Sequence, residues 1–173
     1  MQTTPVKKLV LSALFAALTC AATLVIQLRI TPNGYINLGD CLVLLCAWML
    51  PPGYGAAAAG IGSMLADLLA GYAQYAPATC LIKAFMALCA GFLFRKITAC
   101  KKRNLLVGCI LSAIAAECIM AGGYYLFEAY ALGLGPAALL SMPGNAIQAV
   151  CGIVSGTSVY LILQRNKLFQ DRI

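Results

Sequence analysis

Histidine is absent from the 173 residues, and none of the 9 cysteines forms a C-x-x-C pair. Those two absences remove the usual ligands of a structural zinc and the usual spacing of a dithiol redox site. They also remove the most common general base of an enzyme working near neutral pH. No G-x-x-x-x-G-K-[ST] stretch occurs, so the chain carries no phosphate-cradling loop of its own for ATP. Charge is scarce as well: charged residues make up 10% of the chain and the acids number 5. A soluble domain holds about a quarter charged residues. Few groups are left to face water, and a water-soluble class is excluded.

What fills the space is hydrocarbon. Hydrophobic residues account for 62% of the chain and the mean hydropathy is +0.90. A core of this size cannot hide so much apolar surface, so lipid takes the excess, and the class is an all-α polytopic membrane protein. The run after Lys7 and Lys8 has the charged start and apolar middle of a signal peptide, but it reads better as a first span. Cys20, Cys80, Cys89, Cys109, Cys118 and Cys151 lie inside apolar runs, where a thiol acts as a small hydrophobe. Cys41 and Cys46 read as packing residues on a helix.

Hydropathy marks six apolar segments, residues 5–27, 36–50, 53–72, 77–94, 104–125 and 137–163, in one membrane domain covering 1–173. A span needs about 20 residues, so the second is short and borrows length from its flanks. Pro51 and Pro52 break the chain between spans two and three. The basic residues then orient the stack. Lys7 and Lys8 precede span one, Arg95, Lys96, Lys101, Lys102 and Arg103 lie between spans four and five, and Arg165, Lys167 and Arg172 follow span six. With six spans those places share one side, which the positive-inside rule makes the cytoplasm, and both termini lie there. The net charge of +7 is therefore a topology signal and not a nucleic-acid footprint. Trp48, near the inner end of span two, reads as an interfacial anchor.

On this topology the outer connections are "ITPNGYINLGD" (30–40), "GYAQYAP" (71–77) and "FEAYALGLGP" (127–136). The intramembrane ionisable groups gather toward the same side: Asp40, Asp67, Lys83, Glu117 and Glu128. Helical spacing aligns them with other polar or small residues. Ser63, Asp67 and Gly71 recur at i+4, as do Thr79 and Lys83, and Glu117, Tyr124 and Glu128 share a face of span five. In span six Asn145 and Gln148 are neighbours at i+3, and Gly144, Gln148, Gly152 and Gly156 form a small-residue stripe. A charge facing lipid at mid-depth costs at least ~2.5–3.5 kcal/mol, so these groups face inward or pair.

Two readings follow. In one, Asp67 and Lys83 are a buried ion pair and Asn145 and Gln148 bond across helices only to hold the bundle. In the other the groups line a binding site, together with tyrosines such as Tyr35, Tyr75 and Tyr124, some of which could equally be interfacial belt residues. The one-sided gathering favours a site. The acids outnumber the bases there, which favours a neutral or cationic ligand, and the tyrosines favour a flat aromatic ring. A small intramembrane enzyme using Asp67 or Glu117 as acid or base, and a purely structural subunit, are the competing classes. The first lacks a nucleophile–base pair.

Three stretches carry a family likeness: "GYINLGD" (34–40), "MLPPGYGAAAAGIGSMLADLLAGYAQYAPATCLIKAF" (49–85) and the alanine ladder in "SALFAALTCAA" (12–22). Over nearly its whole length the chain resembles the substrate-binding S components of energy-coupling factor (ECF) vitamin transporters, of the riboflavin- or pyridoxine-type branch. The resemblance implies a six-helix transport subunit of the cell membrane, not an enzyme, with no cofactor and no metal. It implies capture of a small vitamin-like molecule from outside, a pyridoxine-like heterocycle before riboflavin or a queuine-type deazaguanine. Asn33, Tyr35 and Asn37 would belong to a lid, and Asp40 would be a pocket wall or a helix cap where the lid meets span two.

The partners implied are a transmembrane coupling subunit and two cytoplasmic ATPases within the lipid bilayer, and no nucleic acid. Ala13, Ala17 and Ala21 repeat as A-x-x-x-A-x-x-x-A, a spacing that lets another helix approach closely. The spacing alone serves internal packing equally well. The resemblance assigns it to docking on the coupling subunit.

Overall fold

The computed structural model describes residues 4–25, 27–28, 36–99 and 104–165. The order is α1 (Pro5–Val25), β1 (Gln27–Leu28), β2 (Ile36–Asn37), α2 (Gly39–Met49), α3 (Pro52–Leu69), α4 (Ala76–Thr98), α5 (Leu105–Leu126) and α6 (Met142–Arg165). A π-helical turn (Phe127–Ala131) prolongs α5, and a 3-10 helix (Gly135–Ser141) leads into α6. The expected six-helix bundle is therefore present. It carries one addition, a two-residue antiparallel ladder pairing Gln27 with Asn37 and Leu28 with Ile36.

Local chemistry explains the breaks. Pro51 is extended, at φ −57° and ψ 149°, and Pro52 opens α3 where its missing N–H removes nothing from the helix. The other end of α3 closes through Gly71, at φ +84°. The Tyr72 N–H then reaches back to the Asp67 carbonyl at 2.8 Å. Such a six-to-one closure requires the left-handed conformation that glycine adopts without strain. Pro77 occupies the first turn of α4 in the same way as Pro52 in α3.

The helix α2 is the axle of the molecule. Every residue in it except Leu42 is buried, and it touches α1, α3, α4 and α6. A helix apolar all round belongs in the middle of others. At 1.5 Å per residue its 11 residues give about 17 Å, roughly half the hydrocarbon thickness. Among the described residues, four helical segments are long and apolar enough to cross: Pro5–Val25, Ala76–Thr98, Leu105–Ala131 and Gly135–Arg165. The expected second span is helical only over Gly39–Met49, between the ladder strand and Pro51.

Helices close on α2 and on one another through glycines. A methyl group at Gly55 would lie 2.6 Å from the Cys46 carbonyl oxygen, and one at Gly62 would lie 2.4 Å from that of Ala16. Leucine, valine and phenylalanine such as Leu81, Phe85, Phe92, Val150 and Val154 face outward, as a lipid-facing surface requires.

The central place of α2 corrects the reading of Trp48. Its indole is 6% exposed, donates from Nε1 to Ser112 Oγ at 3.0 Å, and meets Tyr160 edge-on with ring centroids 5.3 Å apart. Phe94 completes that cluster at 5.9 Å. The indole N–H needs a partner once buried, and α5 supplies one. Trp48 is a core residue, not an interfacial anchor. Arg95 binds the same end of α2, with Nη1 donating to the Ala47 and Leu50 carbonyls at 3.4 and 3.5 Å. A cation there complements the negative end of the helix dipole. The eight described cysteines are unpaired, as their apolar settings suggest.

Candidate functional site

The end of the bundle opposite Trp48 is polar. Asp40, in the first turn of α2, is fully buried and forms an ion pair with Lys83 Nζ from the second turn of α4. Its other oxygen, Oδ2, accepts a hydrogen bond from Gln148 Nε2 of α6 at 2.6 Å. Gln148 Oε1 in turn accepts from the Asn37 backbone N–H at 3.1 Å and from Asn37 Nδ2 at 3.3 Å. The Asn37 Oδ1 accepts from the Gly39 N–H at 2.8 Å. One continuous relay therefore ties the ladder, α2, α4 and α6.

Three sequence expectations are resolved by this relay. Asp40 is not a helix cap. Leu38 occupies the cap position without a side-chain bond, and Asn37 satisfies the first N–H of the helix instead. The ion-pair partner of Lys83 is Asp40 rather than Asp67. Asp40 wins because α2 lies at the centre, where a side chain in its first turn meets α4 and α6 together. Asp67 is buried near the end of α3. Gln148 does bond across helices, as expected, whereas Asn145 is half-buried and its Nδ2 has no partner among the described residues.

Tyr124 and Glu117 extend the polar group along α5. The Lys83 ammonium lies 5.6 Å from the centre of the Tyr124 ring, and the Tyr124 hydroxyl is 3.0 Å from Thr79 Oγ1. Glu117 is 3% exposed, and neither of its carboxylate oxygens has a hydrogen-bond partner among the described residues. It converges with Asp40 on Gly152 of α6: a methyl group at Gly152 would lie 2.8 Å from Glu117 Oε1 and 2.9 Å from Asp40 Cβ.

A second, more peripheral cluster joins the α3–α4 connection to the π-helical turn. The Tyr75 hydroxyl donates to Glu128 Oε1 at 3.3 Å, and its ring meets those of Phe127 and Tyr72 edge-on at 5.4 and 6.2 Å. Burial, and then the neighbouring Glu128 carboxylate, hold the Tyr75 phenol well above its ordinary range, so it stays a donor. Tyr75 is thus a buried packing residue and not part of an exposed belt.

Of the residues singled out by sequence, the structure joins Asn37, Asp40, Lys83 and Gln148 in one relay, with Tyr124 and Glu117 beside it. It joins Tyr75 to Glu128 in the second cluster. Asn33 and Tyr35 lie outside the described residues. Thr79 and Gly152 were visible only as members of spacing patterns, and their contacts give them a place in the site. The ladder Ala13, Ala17 and Ala21 is exposed, and α1 packs inward through Ser12, Phe15, Thr19 and Thr23. Internal packing is therefore not what those alanines do.

A buried polar relay thus lies at one end of a bundle that holds, among the described residues, four helical segments long and apolar enough to cross a membrane. The family model of the ECF-type riboflavin transporter S component matches residues 3–165, and the chain belongs to that family. It is accordingly a multi-pass protein of the cell membrane and a substrate-binding subunit of the kind that works with an ECF module. A protein of Pyrococcus woesei, described only as an uncharacterized protein in a gap 3′ region, is 33% identical over 145 residues. That match covers 83% of this chain and 93% of the relative. A solved structure reported under "Structure and mechanism of the S component of a bacterial ECF transporter" superposes with a TM-score of 0.70. It covers 95% of this chain and 99% of the other at 16% identity, a likeness of fold.

Proposed function

We propose that the chain captures a small aromatic heterocycle of the pyridoxine, riboflavin or queuine type at the Asp40–Lys83–Gln148 end of the bundle. Asn37, Asp40, Lys83, Glu117, Tyr124 and Gln148 are the residues that hold it. Asn33, Tyr35, Asp67, Tyr75, Glu128 and Asn145 take part around them. The observation that carries this reading is the gathering of buried polar groups from five elements at one end, with Asn145 Nδ2 and both Glu117 oxygens unpartnered among the described residues. A bundle stitched for stability alone leaves fewer groups unsatisfied, because each unmade buried hydrogen bond costs about 1–3 kcal/mol.

That polar end faces outward, in keeping with the cytoplasmic placement of both termini by the basic residues. The exposed ladder of Ala13, Ala17 and Ala21 is the docking face for the transmembrane coupling subunit, and two cytoplasmic ATPases supply the energy. The test is a thermal-shift screen of the purified protein in detergent against riboflavin, pyridoxine and deazaguanine bases. A ligand at a hundred times its Kd adds about 2.7 kcal/mol to the folded state and raises the midpoint visibly. Asp40→Asn should abolish that shift. A panel in which every compound leaves the midpoint unmoved would overturn the reading.

A further inference from the structure

Two neutral amides stand beside the relay without belonging to it. Gln27 is on β1 and Asn145 is on α6, and both residues are half-buried. Gln27 Nε2 and Asn145 Nδ2 are nonetheless shielded from solvent and have no hydrogen-bond partner among the described residues. A buried donor left in that condition costs about 1–3 kcal/mol.

The ladder and the helix place both amides next to one bond. Gln27 pairs directly with Asn37, which sets their side chains on one face of the ladder with Cβ atoms about 5 Å apart. Asn37 Nδ2 uses that face to reach Gln148 Oε1 on α6. Asn145 precedes Gln148 by three residues, so the two are neighbours on one face of α6, again about 5–6 Å apart.

The acceptors between the two amides are engaged already. Gln148 Oε1 accepts from both the backbone N–H and Nδ2 of Asn37, which fills its two lone pairs. Asn37 Oδ1 takes the Gly39 N–H, and the Asp40 oxygens take Lys83 and Gln148. Two N–H donors are therefore left over at one place in the fold, and what completes them is an acceptor from outside the chain. That acceptor is uncharged. The amides carry no charge to offset an anion, and Lys83 is held by Asp40.

We propose that Gln27 and Asn145 are specificity-determining residues that hold the ligand by two of its acceptor atoms, Gln27 Nε2 donating to one and Asn145 Nδ2 to the other. The class of ligand is a small neutral molecule with two such atoms, carbonyl oxygens or ring nitrogens, a few ångströms apart. A molecule with one leaves an amide unpaired and is rejected on that account. The proposal rests on the reading of the chain as a capturing subunit. It adds Gln27 to the binding residues and gives the direction of the bonds.

The experiment is calorimetric titration of the purified protein in detergent with riboflavin, 7-deazaguanine and pyridoxine, for the wild type, Gln27→Met and Asn145→Leu. The two substitutions keep the side chain close in shape and remove its amide. Riboflavin and 7-deazaguanine each present at least two acceptors of the stated kind, whereas pyridoxine has a single ring nitrogen and no carbonyl. Wild-type protein should bind one of the first two compounds, and each variant should bind it at least tenfold more weakly. The ligand-free thermal midpoint of each variant should stay level or rise, because an unpaired buried donor has been removed. Unchanged affinity in either variant overturns the proposal. A variant that melts below the wild type, or does not fold, overturns it as well, since its amide then serves the fold. Binding of pyridoxine alone defeats this inference and leaves the capture reading standing. Silence of all three compounds on the wild type defeats both.

Discussion

At the scale of single residues the protein concentrates its electrostatic risk in one pair. Asp40 and Lys83 are both buried, and each depends on the other for compensation. Removing one partner of such a pair leaves an uncompensated charge and costs about 3–5 kcal/mol. Lys83→Met should therefore lower the thermal midpoint in detergent sharply, and adding Asp40→Asn should restore much of the loss. Additive destabilisation in the double variant would show that the two side chains do not act as a pair. The partner choice was the least legible feature of the sequence. Helical spacing says which face Lys83 shares with Thr79, but not whether Asp40 or Asp67 lies opposite. That depends on which helix occupies the centre, a fact of the tertiary arrangement.

Trp48 gives the same lesson from the apolar end. Near the inner end of an apolar segment a tryptophan looks interfacial, because hydropathy cannot see that its helix is enclosed on all sides. As the chain's one tryptophan it is also a built-in probe. Its emission should be that of a buried indole, shielded from water-soluble quenchers. Trp48→Phe loses the bond to Ser112 and leaves its buried hydroxyl less well satisfied, a cost of about 1–3 kcal/mol. Quenching as efficient as that of free tryptophan in the same detergent would contradict the burial.

At the scale of elements, α1 is two-sided in a way its sequence half revealed. The ladder spacing was plain, but which face it occupied became clear only once Ser12, Phe15, Thr19 and Thr23 were seen to point inward. The exposed face has Leu14 and Leu18 beside the alanines, a surface a second helix can approach closely. Ala17→Leu should leave stability and ligand affinity of the isolated protein unchanged while reducing its co-purification with the coupling subunit. A lowered midpoint in that variant would return the ladder to internal packing. On α6 the same small-residue logic points inward: Gly152→Val should disturb both Asp40 and Glu117 and weaken ligand binding along with stability, measured in the same screen. The ladder strands and the π-helical turn escaped the sequence reading because two-residue pairings and a single widened turn leave no periodic signature.

At the scale of the whole molecule, six apolar segments and an inside bias of basic residues were enough to define the bundle. Hydropathy and charge act over tens of residues and tolerate error at any one of them. The division into a polar end and an apolar end follows from the same alternation of direction. The starts of α2, α4 and α6 and the end of α5 meet at one end, and their opposite ends meet around Trp48. Reconstituted alone in vesicles, the protein should bind ligand but accumulate none, and uptake should need the coupling subunit, both ATPases and ATP. Accumulation by the lone protein would break that division of labour.

The enclosure of α2 also bears on how the chain is made. A segment of about 17 Å cannot settle stably across a bilayer by itself, and it carries a carboxylate into the hydrocarbon. It must be accepted early in synthesis and justified late. Lys83 arrives two helices afterwards, and Gln148, which fills the second oxygen of Asp40, comes only with the last helix. Until α6 is in place, α2 lacks one of its walls and Asp40 lacks one of its two partners. The final helix is thus a built-in checkpoint on biogenesis, and a chain cut short before it would expose to cellular proteolysis the very segment the finished protein hides best.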